Sequence, residues 1–160
     1  MEKVCLLIGS NLLNPLKQVK LAINSLNNLP NTKLINVSSF YTSLPLGNKN
    51  QPDFINAITE INTDLTPSLL LKYIQIIEIN QGRIRTLEKW SSRSIDIDIL
   101  FFGNKIINTP KLIIPHYDIY NRAFILYPLL EIINPLTQIS NKINILNALN
   151  FVNKNDISIL

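Results

Sequence analysis

The sequence predicts an α+β fold: a ferredoxin-like βαββαβ sandwich with a small helical or hairpin addition at its C-terminal end. Three observations carry this. Short runs rich in β-formers alternate with two segments of helical apolar period. Each of those segments opens on a capping residue followed by proline, Asn14-Pro15 and Thr66-Pro67. One run, Ile95-Asp96-Ile97-Asp98-Ile99, has a period of two, which only a strand satisfies.

In chain order, Lys3 to Ile8 reads as a central strand, ended by the turn composition Gly9-Ser10-Asn11. Leu16, Val19, Ile23 and Leu26 repeat at helical spacing to about Asn28, and Pro30-Asn31 breaks the helix. Leu34 to Tyr41 reads as the second strand. Thr42 to Asp53, with two prolines and a glycine, is a connection long enough to be functional or mobile. Phe54 to Ile61 is the third strand, with Phe54, Asn56 and Ile58 on one face. The second helix runs from Ser68 to about Gln81, with Leu70, Tyr73, Ile74 and Ile77 as its core stripe and Gly82 closing it. After the acidic strand, Gly103-Asn104 predicts a hairpin turn into Ile106-Ile107, and Pro128 predicts the start of a third helix, Leu129 to Ile133. Residues 136–160 form an asparagine-rich peripheral tail of a single domain spanning 1–160, with no function assigned to it.

A chain of 160 residues that is 46% hydrophobic and 16% charged excludes disorder. No apolar run nears the ~20 residues that a membrane span needs, and the first run is too short for a signal peptide. A cytoplasmic protein is expected. Cys5, the only cysteine, lies in an apolar run and is expected to be buried and inert. The net charge of +4 suggests an anionic ligand without saying which.

The chemistry concentrates between Arg83 and Phe102. Asp96 and Asp98 share one strand face, with Cα atoms roughly 7 Å apart at about 3.3 Å per residue, close enough to converge on hard cations. Just upstream lie Arg83, Arg85, Lys89 and Arg93, with Trp90 among them. Carboxylates for Mg²⁺ beside guanidinium groups that clamp phosphate oxygens are what phosphoryl transfer requires. A solvated strand face accounts for the acidic pair alone, and a solvated loop for the arginines alone. The segregation of the two signs into adjacent blocks favours a charged ligand. Phe54 and Asn56 could bind a flat heterocycle by stacking and hydrogen bonds, or form a half-exposed strand face. Gln75 and Glu78, three apart on the second helix, are either its wet side or neighbours of the arginine loop. His116, the sole histidine, is structural or catalytic.

Taken together, Gly9-Ser10-Asn11, Ser38-Ser39-Phe40-Tyr41, Pro45-Leu46-Gly47, Gln51-Pro52-Asp53-Phe54-Ile55-Asn56, Gln81-Gly82-Arg83-Ile84-Arg85, Trp90, Arg93-Ser94-Ile95-Asp96-Ile97-Asp98-Ile99 and Pro115-His116-Tyr117-Asp118 resemble the 6-hydroxymethyl-7,8-dihydropterin pyrophosphokinases of the folate pathway. The likeness runs to about Glu131. It implies transfer of the β,γ-pyrophosphoryl group of ATP to the pterin hydroxymethyl, with release of AMP. Asp96 and Asp98 would hold two Mg²⁺ ions. Arg83, Arg93, His116, Tyr117 and Arg122 would contact phosphates or position ATP, with Gln75, Glu78, Arg85 and Ile99 near the nucleotide. Arg83 and Arg93 join the aspartates as the implied catalytic set. Phe54 and Phe124 would sandwich the pterin, Ser43, Leu46 and Asn56 would meet its polar edge, and Trp90 would close over the site. Leu44 to Gln51 and Arg83 to Ser92 would be mobile loops. The implied state is a monomer with ATP and the pterin as partners, without nucleic acid or membrane.

Several positions depart from the family pattern: Phe54 for tyrosine, Ser43 for threonine, Leu44 for proline, Lys89 for arginine and Ala123 for glycine. Lys89 gives up bidentate geometry, so weaker ordering of its loop is expected. The chain has no Walker or kinase glycine motif, so ATP must be held by side chains and metal. Two other readings stand beside this one. An RNA-binding sheet lacks its aromatic strand motif here, and acidic residues on the sheet face would repel a phosphate backbone. A family member reduced to an interaction domain is opposed by the intact acidic pair.

Overall fold

The computed structural model describes residues 1–134, 138–140 and 143–160. Strand β1 (Glu2–Ser10) sends Val4, Leu6 and Ile8 to one side and Cys5, Leu7 and Gly9 to the other. Both sides are covered, so its apolar residues are continuous rather than alternating with polar ones. The strand runs two residues past Ile8, and Gly9 and Ser10 belong to it, not to a turn.

Helix α1 (Pro15–Asn27) begins at Asn14, whose side chain accepts a hydrogen bond from the Lys17 amide at 3.4 Å while its backbone sits at φ 63°, a left-handed conformation that asparagine tolerates. The predicted second strand is two. β2 (Thr32–Val37) and β3 (Tyr41–Ser43) both pair antiparallel with β4 (Phe54–Thr63), one with each half of it. Between them the Ser38 hydroxyl accepts the Ile58 amide at 2.9 Å, so a side chain replaces a rung of the ladder and the chain steps out of line. Helix α2 (Pro67–Asn80) is capped by Thr66, and β5 (Asp96–Phe102) returns beside β1.

Val19, Ala22 and Leu26 of α1 and Leu70, Ile74 and Ile77 of α2 close over Leu6, Ile8, Ala57 and Ile97. Each fully buried side chain of this kind contributes about 1.5–3 kcal/mol, and Leu6→Ala would cost roughly 2–5 kcal/mol. The sheet order β5-β1-β4-β3, all antiparallel with two helices on one face, is the ferredoxin-like α+β arrangement.

Two other expectations are corrected. Gly103 and Asn104 do turn the chain, with Gly103 at φ 51°, but no hairpin with β5 follows. Instead β6 (Ile107–Asn108) pairs with β7 (Ile113–Ile114), because Thr109 and Leu112 close their own turn through reciprocal backbone bonds. The third helix, α3 (Ala123–Leu130), starts five residues before Pro128 and contains it. The extended Arg122 precedes the helix, and Ala123, Ile125, Leu126 and Leu129 bury themselves, so packing overrides the proline's preference for a first turn.

Helix α3 and the short α4 (Ile145–Leu149) cover Cys5, Leu7, Ile58 and Leu100 on the sheet's second face. They leave the end carrying Gly9, Asn56 and Asp96 open. Of the tail set apart in the sequence, residues 136, 137, 141 and 142 lie outside the described residues. β8 (Gln138–Ser140) pairs with β9 (Ile143–Asn144), and β10 (Ile157–Ile159) adds a strand to the main sheet beside β3. No helix among the described residues is long and apolar enough to cross a membrane.

Candidate active site

The open end of the sheet is built on register. Gly9 of β1 lies opposite Asn56 of β4 on one side and Asp96 of β5 on the other; one step along, Leu7 lies between Ile58 and Asp98. Opposite residues share a face, so Asn56, Asp96 and Asp98 project together. A Cβ at Gly9 would stand 2.8 Å from the Asn56 side-chain oxygen, which explains the glycine. The Asn56 amide donates to the Ser43 hydroxyl at 2.7 Å, and both side chains are buried. Phe54 stands beside them, with the Arg93 guanidinium 5.5 Å from its ring centroid.

The acidic pair is half-buried and interlocked with arginines. Arg83 Nη1 lies 2.5 Å from both Asp96 Oδ1 and Glu78 Oε1, and Arg93 Nε lies 3.2 Å from Asp96 Oδ2. Glu78 is 3% exposed, so it belongs to the site and not to the wet side of α2; it also accepts from the Ile97 amide at 3.0 Å and from Arg85 at 3.3 Å. Burial raises its carboxyl above the ordinary range, opposed chiefly by Arg83. Gln75, one turn earlier, is exposed.

Asp98 differs from Asp96. Its carboxylate accepts no hydrogen bond from the described residues, and burial, with the Asp96 charge, pushes it up to about 8. Two hard carboxylate donors on one strand face, one of them held by arginines and the other without a hydrogen-bond donor among the described residues, suit a hard divalent cation that displaces the Asp98 proton. Among the described residues no third acidic, histidine or cysteine ligand joins them. Mg²⁺ is ordinarily held by one or two carboxylates plus substrate phosphates and water, so the donor set fits it.

Opposite the pair, His116 and Tyr117 stack with ring centroids 4.6 Å apart. The Asp118 amide donates to His116 Nδ1 at 3.2 Å, which leaves Nε2 to carry the proton. Burial lowers the His116 pKa against the pull of Asp118 and Asp96, so the ring is neutral near pH 7. Arg122 reaches Asp118 at 3.4 Å, and its Nε is buried without a hydrogen-bond partner among the described residues, a donor left over for a ligand.

Ser43, Leu46, Phe54, Asn56, Arg83, Trp90, Arg93, Asp96, Asp98, His116, Tyr117, Arg122 and Phe124 line one cleft. Gln75, Glu78 and Arg85 line a separate hollow that meets the cleft at Arg83. Ile99 lines a third hollow with Leu71 and Leu112, joined through Asp98, His116 and Tyr117.

The residues that tie the two cleft loops together stood in the family pattern of the sequence, but without a sign of what each one holds. Asn11, 1% exposed, donates to the Gln51 side chain and to the Pro52 carbonyl, each at 3.0 Å, and accepts from the Arg93 amide at 2.9 Å. Gln51 donates to the Trp90 carbonyl at 2.8 Å and accepts from Ser92 at 2.9 Å. Gly47, at φ 72°, lies against the Trp90 ring, where a Cβ would come within 3.0 Å of it. Proline and glycine flag such loops, but nothing local says that one holds the other.

A family profile described as 7,8-dihydro-6-hydroxymethylpterin-pyrophosphokinase (HPPK) matches residues 5–134, which include every residue of the cleft. The chain is 48% identical over 129 residues to the 2-amino-4-hydroxy-6-hydroxymethyldihydropteridine pyrophosphokinase of Haemophilus influenzae, covering 81% of this chain and 80% of that protein. It is 43% identical over 131 residues to the protein of the same name from Pseudomonas aeruginosa, covering 82% and 80%. Among solved structures, an HPPK-DHPS chain of Plasmodium falciparum superposes with a TM-score of 0.70 at 17% identity, covering 93% of this chain and 45% of that longer one, a likeness of fold. With the profile spanning most of its length and two relatives above 40% identity, the chain belongs to the 7,8-dihydro-6-hydroxymethylpterin-pyrophosphokinase family.

Proposed function

We infer that this protein is a folate-biosynthesis pyrophosphokinase that transfers the β,γ-pyrophosphoryl group of ATP to the hydroxymethyl of 6-hydroxymethyl-7,8-dihydropterin. The observation that carries the reading is one cleft with two chemistries. An acidic and basic end, with Asp96, Asp98, Arg83 and Arg93, adjoins an end walled by Phe54, Phe124 and the Asn56–Ser43 amide and hydroxyl. Family membership supports it independently.

In this reading the hydroxymethyl oxygen bonds to the β-phosphorus as the link between that phosphorus and the α–β bridging oxygen breaks; AMP leaves and the hydroxyl proton is released to solvent. Asp96 and Asp98 would hold two Mg²⁺ ions, which when bound would neutralise triphosphate charge. Arg83 and Arg93 exchange Asp96 for phosphate oxygens, and Arg122 offers its Nε, which has no partner among the described residues. His116 Nε2 donates to the same group, with Tyr117 stacked against it. Gln75, Glu78, Arg85 and Ile99 lie on the nucleotide side. Phe54 and Phe124 hold the pterin ring, Ser43, Leu46 and Asn56 read its edge, and Trp90 closes the cleft against water. The domain is read as acting as a monomer. Its expected place is the cytoplasm, where ATP is supplied.

The test is incubation with ATP, Mg²⁺ and the reduced pterin while nucleotides are followed by chromatography. AMP with pterin diphosphate is expected; ADP as the main product would overturn the assignment.

A further inference from the structure

Glu131 stands at the C-cap of α3, where the helix's own field is negative and a carboxylate is on the wrong end. Its reason to be there lies across the fold. Oε2 accepts the Ser39 amide at 2.7 Å, and Oε1 accepts the Tyr41 hydroxyl, so one carboxylate spans 90 residues of sequence with two charge-assisted bonds. Ser39 lies in the step between β2 and β3, where its amide has no ladder partner among the described residues. Tyr41 opens β3 opposite Asn56, two residues before Ser43 on the same face.

The two ends of α3 therefore do different things. Its first turn presents Phe124 to the cleft, and the residue that caps its far end, Glu131, is fastened to the strand that carries Ser43. Eight residues at 1.5 Å make a lever of about 12 Å, so a shift at Glu131 is carried to the Phe124 ring. A flat heterocycle held between two rings tolerates little change in their spacing, and displacements near 1 Å can cost about a hundredfold.

We propose that Glu131 and Tyr41 are positioning residues: by bolting the end of α3 to β3 they fix the width of the slot between Phe124 and the Phe54–Asn56 face, and so govern affinity for the ring-bearing acceptor and not for the nucleotide. This rests on reading that slot as the pterin subsite. Burial and Glu131 also push the Tyr41 phenol up to about 12, so it stays protonated and remains the donor at any physiological pH.

The experiment compares wild type with Tyr41→Phe, Glu131→Gln and Glu131→Ala, measuring equilibrium binding of the reduced pterin by its fluorescence, KM for each substrate, and thermal unfolding. Tyr41→Phe and Glu131→Ala should weaken pterin binding about tenfold, a loss typical of a bond to a charged group, with KM for ATP changed by less than about twofold. Glu131→Gln, which keeps an acceptor oxygen, should recover most of the affinity. Equal losses for both substrates, or unaltered pterin binding in Tyr41→Phe and Glu131→Ala, overturns the proposal. A wild-type protein that binds no pterin defeats the functional reading instead, which keeps the two failures apart. Should Tyr41→Phe not fold, the contrast between Glu131→Gln and Glu131→Ala decides the matter.

Discussion

Arg83 lies 2.5 Å from Asp96, Nη1 to Oδ1, so a guanidinium holds the carboxylate that the proposed reaction gives to a cation. The two positive partners compete for one oxygen.

Removing the competitor should favour the metal. Arg83→Ala is expected to bind Mn²⁺, read by electron paramagnetic resonance without nucleotide, about tenfold more tightly while turnover falls by at least about a hundredfold. Weaker Mn²⁺ binding in the variant would mean that Arg83 supports the cation site and does not occupy it.

Asp98→Asn should separate stability from activity. The folded-state carboxyl, near 8, lies above its ordinary 3.8, so the uncharged form contributes stability that is whole at low pH and lost as pH rises through 8. With EDTA present, Asp98→Asn should be more stable than wild type at pH 8, and the difference should vanish towards pH 4, as measured by urea unfolding. AMP formation should fall about a thousandfold.

Gln51→Ala should uncouple the two loops. Four side-chain hydrogen bonds, involving Asn11, Asn48, Trp90 and Ser92, disappear. Since Trp90 is the only tryptophan, its steady-state anisotropy reports the loop directly and should fall. kcat/KM for the pterin should drop about tenfold. Unchanged anisotropy would show that Gly47 packing alone holds the loop.

Cys5 should be inert. Burial first, then the Glu60 charge, raises the thiol from 9.0 to about 12, so the neutral thiol's contribution to stability is complete below pH 9 and is lost as pH climbs to 12. Reaction with a disulfide reagent at pH 8.5 should proceed only at the rate of unfolding. Wild type should lose stability relative to Cys5→Ala above pH 9; parallel curves would refute the shift.

The fold was legible where the signal is local. Asn14-Pro15 and Thr66-Pro67 each open a helix because cap and proline act within one turn. The acidic alternation of β5 gave the common direction of Asp96 and Asp98 because a strand's period is two. What failed needed distant information. Ser38 interrupts a strand through a bond to Ile58, 20 residues away, and Pro128 sits inside α3 because the sheet face claims Leu126 and Leu129. Gly9 read as a turn, while its bareness answers to Asn56, and no stretch around Glu131 mentions Tyr41. The cleft's composition was therefore visible in sequence, and the ties that hold its walls were not.

The rung that joins Asn56, Gly9 and Asp96 has a consequence for anyone building molecules against this cleft. Adjacent strands are about 4.8 Å apart, so the Asn56 amide and the Asp96 carboxylate stand on a ruler about 10 Å long whose graduations are peptide hydrogen bonds. A compound that ties a heterocycle to a polyanion across that span meets a backbone already at the right length, and only the loops above it must adjust.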